Sequence, residues 1–290
     1  MIRAQVNTLV ALRSAFFKKV RIFFDSRNYL EVDPPILSRY ASVDVYIDPF
    51  STTDGYFLHT SPEYAMKRIL SKYKCDIYFL GHVFRKEEEG SIHSSEFTMI
   101  EWYKINTNEN SFLQETCELI SLFVGEREIE KISYKDAFLI YGKEPEIDVE
   151  NWFDDEIKHY IWATYVEPHL GKNKITIICD FPESEALLAK THIRDGEKVA
   201  QRFEIYFNGV EIGNGFCELS DANEQERRLN EANNKRLERN KDSLPIDYTL
   251  IEALRIGLPS NTYGIAIGFD RLLMLSKQLN AISHIMYTQQ

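Results

Sequence analysis

The sequence predicts an α+β fold in which a mostly antiparallel β-sheet is flanked by helices. Two β-rich runs at residues 76–85 and 96–103 are joined by one polar loop, which is typical of an antiparallel pair. A second pair is predicted around Asn208-Gly209, because this dipeptide between strand-like runs favours the tight turn of a hairpin. Helical patterns occupy much of the remaining chain. We therefore expect one mixed domain over residues 1–290.

The N-terminal part of the chain begins with an amphipathic helix, predicted over residues 3–28. Apolar residues recur there every three or four positions, while Arg13 and Lys19 fall between them. An extended segment should follow, because Pro34 and Pro35 keep the chain from being helical.

Helices and a strand are predicted in the middle of the chain. A helix is predicted with Pro62 in its first turn and Thr60 or Ser61 as its N-cap. Helical patterns dominate residues 108–166, and the apolar run 175–180 predicts a buried strand.

The last third of the chain contains the most polar segment, residues 221–243. Asp221 and Glu224 are spaced as a capping box there, which favours a solvated helix. A strand at 263–269 and a short helix from Asp270 close the chain.

Composition narrows the class of protein. The chain of 290 residues is 44% hydrophobic and 27% charged, which excludes wholesale disorder. With 34 basic and 45 acidic residues the formal net charge is −11, which disfavours a nucleic-acid binder such as one that grips tRNA. No apolar run is long enough for a membrane helix, and the N-terminus is not a signal peptide.

The cysteines favour a reducing compartment. Cys75, Cys117, Cys179 and Cys217 are far apart, and no two of them form a CxxC pair. A zinc site or a disulfide framework is therefore not expected. We expect a cytoplasmic protein without a membrane partner.

The predicted hairpin places two carboxylates near each other. In a two-residue loop Tyr206 faces Glu211, and alternation puts Glu204 on the same face. At ~5 Å and an effective dielectric constant of ~20 two such charges repel by about 3 kcal/mol. They need a metal, a Lys or Arg, or a cationic ligand, unless the face is simply wet. Glycines at 213 and 215 predict a bulge that returns Asn214 and Glu218 to this face.

Two further groups of residues could bind a nucleotide. Arg85 ends one β-rich run and Phe97 lies on its partner, so that charge and stacking could act together. In the run 264–271 two glycines permit close backbone approach, and Arg271 begins a helix beside them. Each group alone also fits an ordinary hairpin or strand.

Together and in this order, these features resemble the three motifs of class II aminoacyl-tRNA synthetases. An extended segment ends in Pro35, an Arg–Glu–loop–His–Phe hairpin follows, and a glycine-rich strand ends in Arg271. The segments 60–64, 96–103 and 211–216 are similar to the lysyl branch.

The resemblance also has a gap and a closer match. Lysyl-tRNA synthetases carry an anticodon-binding barrel before this core, whereas this chain starts at the helix before motif 1. We therefore expect no anticodon-binding domain. A free-standing core with Glu-Trp-Tyr after motif 2 and Ala266 in motif 3 resembles the ligases that attach β-lysine to elongation factor P.

The resemblance implies an ATP-dependent ligase that forms an aminoacyl-adenylate of lysine or (R)-β-lysine and transfers it to a lysine of elongation factor P. Arg85 and Arg271 would be catalytic, with Arg85 at the α-phosphate. Glu87 would accept the adenine amino group, Phe97 and Arg271 would sandwich the ring, and His93 would reach the triphosphate. The implied ATP-binding set is Arg85, Lys86, Glu87, His93, Ser94, Phe97, Glu211, Ile212, Gly268 and Arg271.

The resemblance implies the amino-acid pocket and the metal as well. Glu218 would pair with the distal ammonium of the substrate, and the pocket set is Ser61, Pro62, Glu63, Tyr103, Asn214, Glu218 and Ala266. Glu204 and Glu211 would hold Mg²⁺. Ser94-Ser95 departs from the Asn-Pro that is usual in the family, and Ala266 replaces the Gly of lysyl-tRNA synthetases.

Three alternatives stay open. A truncated lysyl-tRNA synthetase would charge tRNA instead of a protein. An inactive regulatory paralogue is disfavoured, because Arg85, Arg271, Glu204 and Glu211 are all present. An ammonia-dependent amide ligase would need a basic pocket for an acidic substrate. Motif 1 forms a two-fold interface in this class, so a homodimer is also expected.

Overall fold

The computed structural model of the protein describes residues 9–143 and 155–287, except for the side chains of residues 155 and 156. The chain divides into two compact units. The first unit comprises Met1–Gly125 and Glu218–Gln290, and the second comprises Glu126–Cys217.

Helices and strands are interspersed along the described part of the chain. The helices are α1 (Leu9–Asp25), α2 (Glu63–Tyr73), α3 (Glu109–Val124), α4 (Tyr134–Tyr141), α5 (Asp155–Ile161), α6 (Ala222–Glu238), α7 (Tyr248–Ile256) and α8 (Phe269–Ser276). The strands are β1 (Leu30–Glu31), β2 (Leu37–Ser38), β3 (Phe57–Leu58), β4 (Ile77–Phe84), β5 (Glu96–Lys104), β6 (Ile129–Ser133), β7 (Ile175–Pro182), β8 (Thr191–Arg194), β9 (Glu197–Phe207), β10 (Val210–Cys217) and β11 (Tyr263–Gly268). None of the helices described is long and apolar enough to cross a membrane.

In the first unit, β5 lies between β4 and β11 and is antiparallel to both. The short β1 extends this group in parallel beside β4, and β2 pairs with β3 separately. Met66 and Leu70 of α2 pack against Ile77, Val83 and Met99 of the sheet and are fully or almost fully buried. Helix α2 therefore lies on one face of β4 and β5.

In the second unit, β9 is antiparallel to β7, β8 and β10, and β6 is parallel to β7. Its core is aromatic. Tyr134 stacks on Trp162 with ring centroids 4.5 Å apart, and Phe181 and Tyr206 lie in the same buried cluster. The predicted α+β class with mostly antiparallel strands is confirmed in both units.

The strongest local predictions are confirmed. Strands β4 and β5 pair from Ile77–Tyr103 to Phe84–Glu96. Asn208 and Gly209 have φ values of 52° and 75°, so the hairpin has the tight turn that its sequence predicts.

The helical interpretation of residues 108–166 is wrong at β6. Pairing with the buried β7 turns Ile129–Ser133 into a strand, although this segment is only five residues long and its polar residues, Glu130, Lys131 and Ser133, do not alternate with apolar ones. Parallel pairing is a long-range contact, so local periodicity could not reveal it. Helix α6 forms as expected, and Asp221 caps it by accepting from the Asn223 and Glu224 backbone N–H groups.

Candidate active site

A buried ion cluster lies where α2 meets the sheet of the first unit. Helix α2 begins at Glu63, and its turn places Lys67 on the same side four residues later. The Lys67 ammonium lies 2.6 Å from Glu63 Oε1 and 2.6 Å from Glu218 Oε2. Burial lowers the pKa of Lys67, whereas the Glu218 and Glu63 carboxylates raise it by a larger amount. The net shift is therefore upward, and the amine stays charged.

The N-terminus of α2 is built differently from the prediction. Pro62 is the capping residue and has no capping side chain, whereas Ser61 lies one position earlier. The Ser61 hydroxyl still accepts from the Glu63 backbone N–H at 3.0 Å. Ser61 therefore fixes the start of the helix and, with it, the position of Glu63.

Glu101 of β5 is the third buried carboxyl of the cluster. Its two oxygens accept hydrogen bonds of 2.7 Å from the Ser61 and Tyr103 hydroxyls. Burial, together with the charges of Glu63 and Glu218, raises the pKa of Glu101 to about 8. The carboxyl is therefore largely protonated at neutral pH, and an additional cation beside it would favour the ionised form.

The glycine-rich strand β11 lies directly against this cluster. Ala266 pairs with Glu101 and Gly264 pairs with Tyr103, so these four residues share one face. A Cβ on Gly264 would lie 2.3 Å from the Tyr103 ring and 2.5 Å from Glu218 Oε1. Only glycine fits there, because any side chain would displace Tyr103 and Glu218.

Phe97 continues the same face along β5, two residues beyond Met99. The guanidinium of Arg85, which follows β4, lies 5.2 Å from the Phe97 ring centroid. Arg85 Nε also donates to the Thr60 carbonyl, at 3.3 Å, and Nη1 lies 3.5 Å from Glu88. Charge and aromatic ring are thus adjacent on the face that carries the buried carboxyls.

The loop between β4 and β5 holds the other residues of the predicted nucleotide site. Lys86 donates its backbone N–H to Asp48, and its ammonium lies 3.5 Å from Glu87. Glu87 is 75% exposed and adopts a left-handed φ of 65°. His93 exchanges backbone hydrogen bonds with Gly90, which closes the loop tip, and Ser94 follows it directly.

Arg271 connects helix α8 to this loop. Its Nε donates to the Ile92 carbonyl at 3.2 Å, and Gly268 precedes the helix as its N-cap. Asp270, next to Arg271, accepts from Arg13 of α1 and from the Thr98 backbone N–H. The start of α8 is thereby tied to α1 and β5 by a buried ion pair.

The hairpin of the second unit carries the remaining predicted residues. Strand register shifts between Glu211 and Gly213, so a bulge at Ile212 places Asn214 opposite Glu204. The predicted bulge therefore exists, slightly earlier than the flanking glycines indicate. Glu218 lies beyond the end of β10, in the first unit.

The hairpin carboxylate Glu204 is buried and already has a cation. Arg202 pairs with Glu204 and Glu185, and its Nε donates to the Asn214 amide oxygen at 3.0 Å. Burial raises the pKa of Glu204, the adjacent Arg202 guanidinium lowers it, and the charge of Glu211 raises it again. Of the open interpretations, the simply wet surface is wrong for Glu204.

Carboxylate oxygens are the ligands that Mg²⁺ prefers, so Glu204 and Glu211 fit that ion by donor chemistry. Both oxygens of Glu204 accept hydrogen bonds, from Arg202 and from the Tyr206 hydroxyl, and each retains a lone pair for a ligand. Within residues 9–143 and 155–287 no group of three or more His, Cys, Asp or Glu side chains is arranged around a metal position.

Three residues of these clusters are not among the predicted site residues: Lys67, Glu101 and Arg202. Periodicity could have found two of them. Lys67 follows Glu63 by one helical turn, and Arg202 precedes Glu204 by one strand repeat. Glu101 lies in a run typical of a buried strand, where a carboxyl is unexpected and is therefore itself a signal.

Known proteins with similar sequences identify the family of this chain. The family model described as "tRNA synthetases class II (D, K and N)" matches residues 1–288. An elongation factor P–(R)-β-lysine ligase of Baumannia cicadellinicola is 36% identical, over 98% of this chain and 95% of the relative. The ligase of that name from Yersinia enterocolitica is 36% identical, over 94% and 92%, and that of Yersinia pestis has the same identity and coverage. The chain therefore belongs to the class II tRNA synthetase family (D, K and N), in the branch whose curated members are elongation factor P–(R)-β-lysine ligases.

Proposed function

We propose that this chain is a cytoplasmic ATP-dependent ligase that activates (R)-β-lysine as an aminoacyl-adenylate and transfers it to a lysine side chain of elongation factor P. We further propose that residues 1–290 act as one catalytic domain. The observation that carries the proposal is the buried acidic cluster of Glu63, Glu101 and Glu218 beside Ser61 and Tyr103. A site with more carboxyls than cations suits a substrate that brings ammonium groups.

In the first step an oxygen of the substrate carboxylate attacks the α-phosphorus of ATP, and the bond to pyrophosphate breaks. Arg85 neutralises the charge that builds up on the α-phosphate. Phe97 and Arg271 hold the adenine ring between them, and Glu87 accepts its amino group. The contact of Arg85 with Phe97 supports this arrangement, because the cation and the ring are already adjacent. Lys86, His93, Ser94 and Gly268 complete the nucleotide site.

In the second step a lysine amine of the acceptor attacks the carbonyl carbon of the adenylate. AMP leaves and the amine loses a proton, so that an amide forms. Glu218 holds the distal ammonium of the substrate, while Ser61, Pro62, Glu63, Tyr103 and Ala266 shape the rest of the pocket. No nucleophilic side chain of the protein is needed.

Glu204 and Glu211 would hold Mg²⁺ as carboxylate ligands. The ion, when bound, neutralises phosphate charge. Arg202 keeps the Glu204 carboxylate in place from the other side, and Asn214 is fixed by the same guanidinium.

The decisive experiment is ATP–pyrophosphate exchange with α-lysine and with (R)-β-lysine, followed by transfer of labelled product. We expect exchange with lysine isomers and label on a lysine side chain of purified elongation factor P. Efficient charging of tRNA without label on elongation factor P would contradict the proposal and favour a lysyl-tRNA synthetase activity.

We also propose that the protein is a homodimer built on motif 1. Apolar side chains are exposed along this region: Val10 is 62% exposed, Ile22 66% and Leu30 58%. Burying such residues against a second copy gives a closed two-fold assembly. Light scattering at micromolar concentration should give twice 33.9 kDa, whereas a monomer mass would contradict the prediction.

A further inference from the structure

Lys67 is a fully buried charged residue to which the proposed function gives no role. Its side chain has 0% exposure, and its ammonium contacts one oxygen of Glu63 and one of Glu218, each at 2.6 Å. Both carboxylates belong to the proposed substrate pocket. Burying a charged amine costs free energy, because the group loses its hydration. Such an amine is retained when it stabilises its partners or when the fold requires it.

The charges that face Lys67 come from each element around it. Glu63 lies on the same helix α2, Glu218 follows β10, and Glu101 with Tyr103 lies on β5. Without Lys67, Glu63 and Glu218 would lose the ammonium that lies between them. Their mutual repulsion would then oppose a fixed separation of the two side chains, because charges are poorly screened in a buried site.

We propose that Lys67 is a positioning residue for the substrate: its ammonium spans Glu63 and Glu218, offsets the repulsion between the two carboxylates and holds them at a fixed separation for a substrate ammonium. The inference rests on the proposed function. Lys67 does not touch the substrate, and it acts only through its two partners.

The charge balance of the cluster fits this role. Glu63 and Glu218 contribute two negative charges and Lys67 one positive charge, while Glu101 is largely protonated at neutral pH. The remaining single negative charge matches one substrate ammonium. Arrival of that cation favours ionisation of Glu101, which provides a partner for a second ammonium.

The test uses Lys67→Gln in the full-length protein. Glutamine retains N–H donors for both carboxylates but removes the charge, so the helix can keep its geometry. We expect the KM for lysine isomers in pyrophosphate exchange to rise at least about tenfold. The KM for ATP should stay within about twofold, because Lys67 acts only on the two carboxylates of the lysine pocket.

A second variant covers the case in which Lys67→Gln does not fold. Lys67→Ala leaves space for the missing part of the side chain, so propylammonium added to the assay should lower its KM for lysine several-fold. The matched control is Lys72→Met on the exposed face of α2, which should leave both KM values unchanged.

The outcomes separate the two proposals. An unchanged lysine KM in Lys67→Gln, or equal increases in the KM values for lysine and ATP, would overturn the role of Lys67 while the wild type remains a lysine-activating enzyme. Absence of rescue by propylammonium would do the same. Absence of exchange in the wild type with every lysine isomer would contradict the proposed function, and the inference with it.

Discussion

Each of the two units places one basic side chain between two carboxylates, but the basic residue differs. In the first, Lys67 lies between Glu63 and Glu218; in the second, Arg202 lies between Glu185 and Glu204. Each cation is supplied by the same element as one of its partners. The period of that element, four residues on helix α2 and two on strand β9, places the opposite charges on one face.

The difference between the two cations is instructive. Arg202 uses its planar fork for three partners and also lies 4.4 Å from the Phe181 ring centroid, so it is held on several sides. Lys67 is a point charge with two carboxylate contacts. An arginine therefore suits a pair whose geometry must be rigid, whereas a lysine suits a cluster whose charge is to be balanced.

The largest expected effect comes from the carboxylates of the second unit. Glu204→Gln or Glu211→Gln should reduce ATP–pyrophosphate exchange by at least about 100-fold, because either change removes a negative ligand for Mg²⁺. Circular dichroism checks that the fold is intact. Glu197→Gln, an exposed change on the same strand, should have no effect. Exchange that persists in both variants at ordinary Mg²⁺ would exclude the two residues from the metal site.

The next effect concerns stability. Arg202→Met should lower the free energy of unfolding by about 3 kcal/mol, since Glu204 would be left buried without its cation. Urea denaturation measures the change. Lys198→Met on the same strand removes an exposed cation and should cost no more than about 0.5 kcal/mol. Equal losses of unfolding free energy in the two variants would show that the ion pairs of Arg202 contribute no more to stability than an exposed ion pair.

The third prediction is a pH dependence in the first unit. The pKa of Glu101 is raised to about 8, so above its unfolded pKa the folded state holds a proton that the unfolded state has lost. Stability must therefore fall as pH rises between about 5 and 8, by up to about 1.4 kcal/mol per pH unit from this group. Urea denaturation across this range should show a shallower fall for Glu101→Gln than for the wild type.

The exposed Glu252→Gln provides the reference for that measurement, because its carboxylate is 65% accessible on the unit that also contains Glu101. Its stability should follow the wild-type pH curve. Coincident curves for Glu101→Gln and the wild type would show that Glu101 is ionised in the folded protein.

The smallest effect is on substrate choice. Ala266 pairs with Glu101 on the pocket face, and removing its methyl group changes where a substrate amino group can lie. One methyl group is worth about 1–3 kcal/mol of discrimination at most. Ala266→Gly should therefore raise kcat/KM for α-lysine relative to (R)-β-lysine by about tenfold. Ala200→Gly, the same change on β9, should leave the ratio unaltered, and an unaltered ratio in Ala266→Gly would remove this residue from the specificity site.

Strand pairs between neighbouring segments could be predicted from the sequence, whereas the pair between distant segments could not. The β4–β5 and β9–β10 pairs follow from sequence, because partners are close along the chain and the Asn208-Gly209 turn sets the register. Strand β6 could not be predicted, since its only reason to be extended is β7, which lies more than 40 residues later.

Sequence by itself determined the class of fold, the hairpins and the types of residue that a lysine-activating site requires. Tertiary structure alone decided which of those charges are buried and which cation serves them. Lys67 meets Glu218 across about 150 residues, and Glu101 meets Ser61 across two elements. Burial and pairing depend on distances between distant parts of the chain, and these distances exist only after the helices and strands have packed.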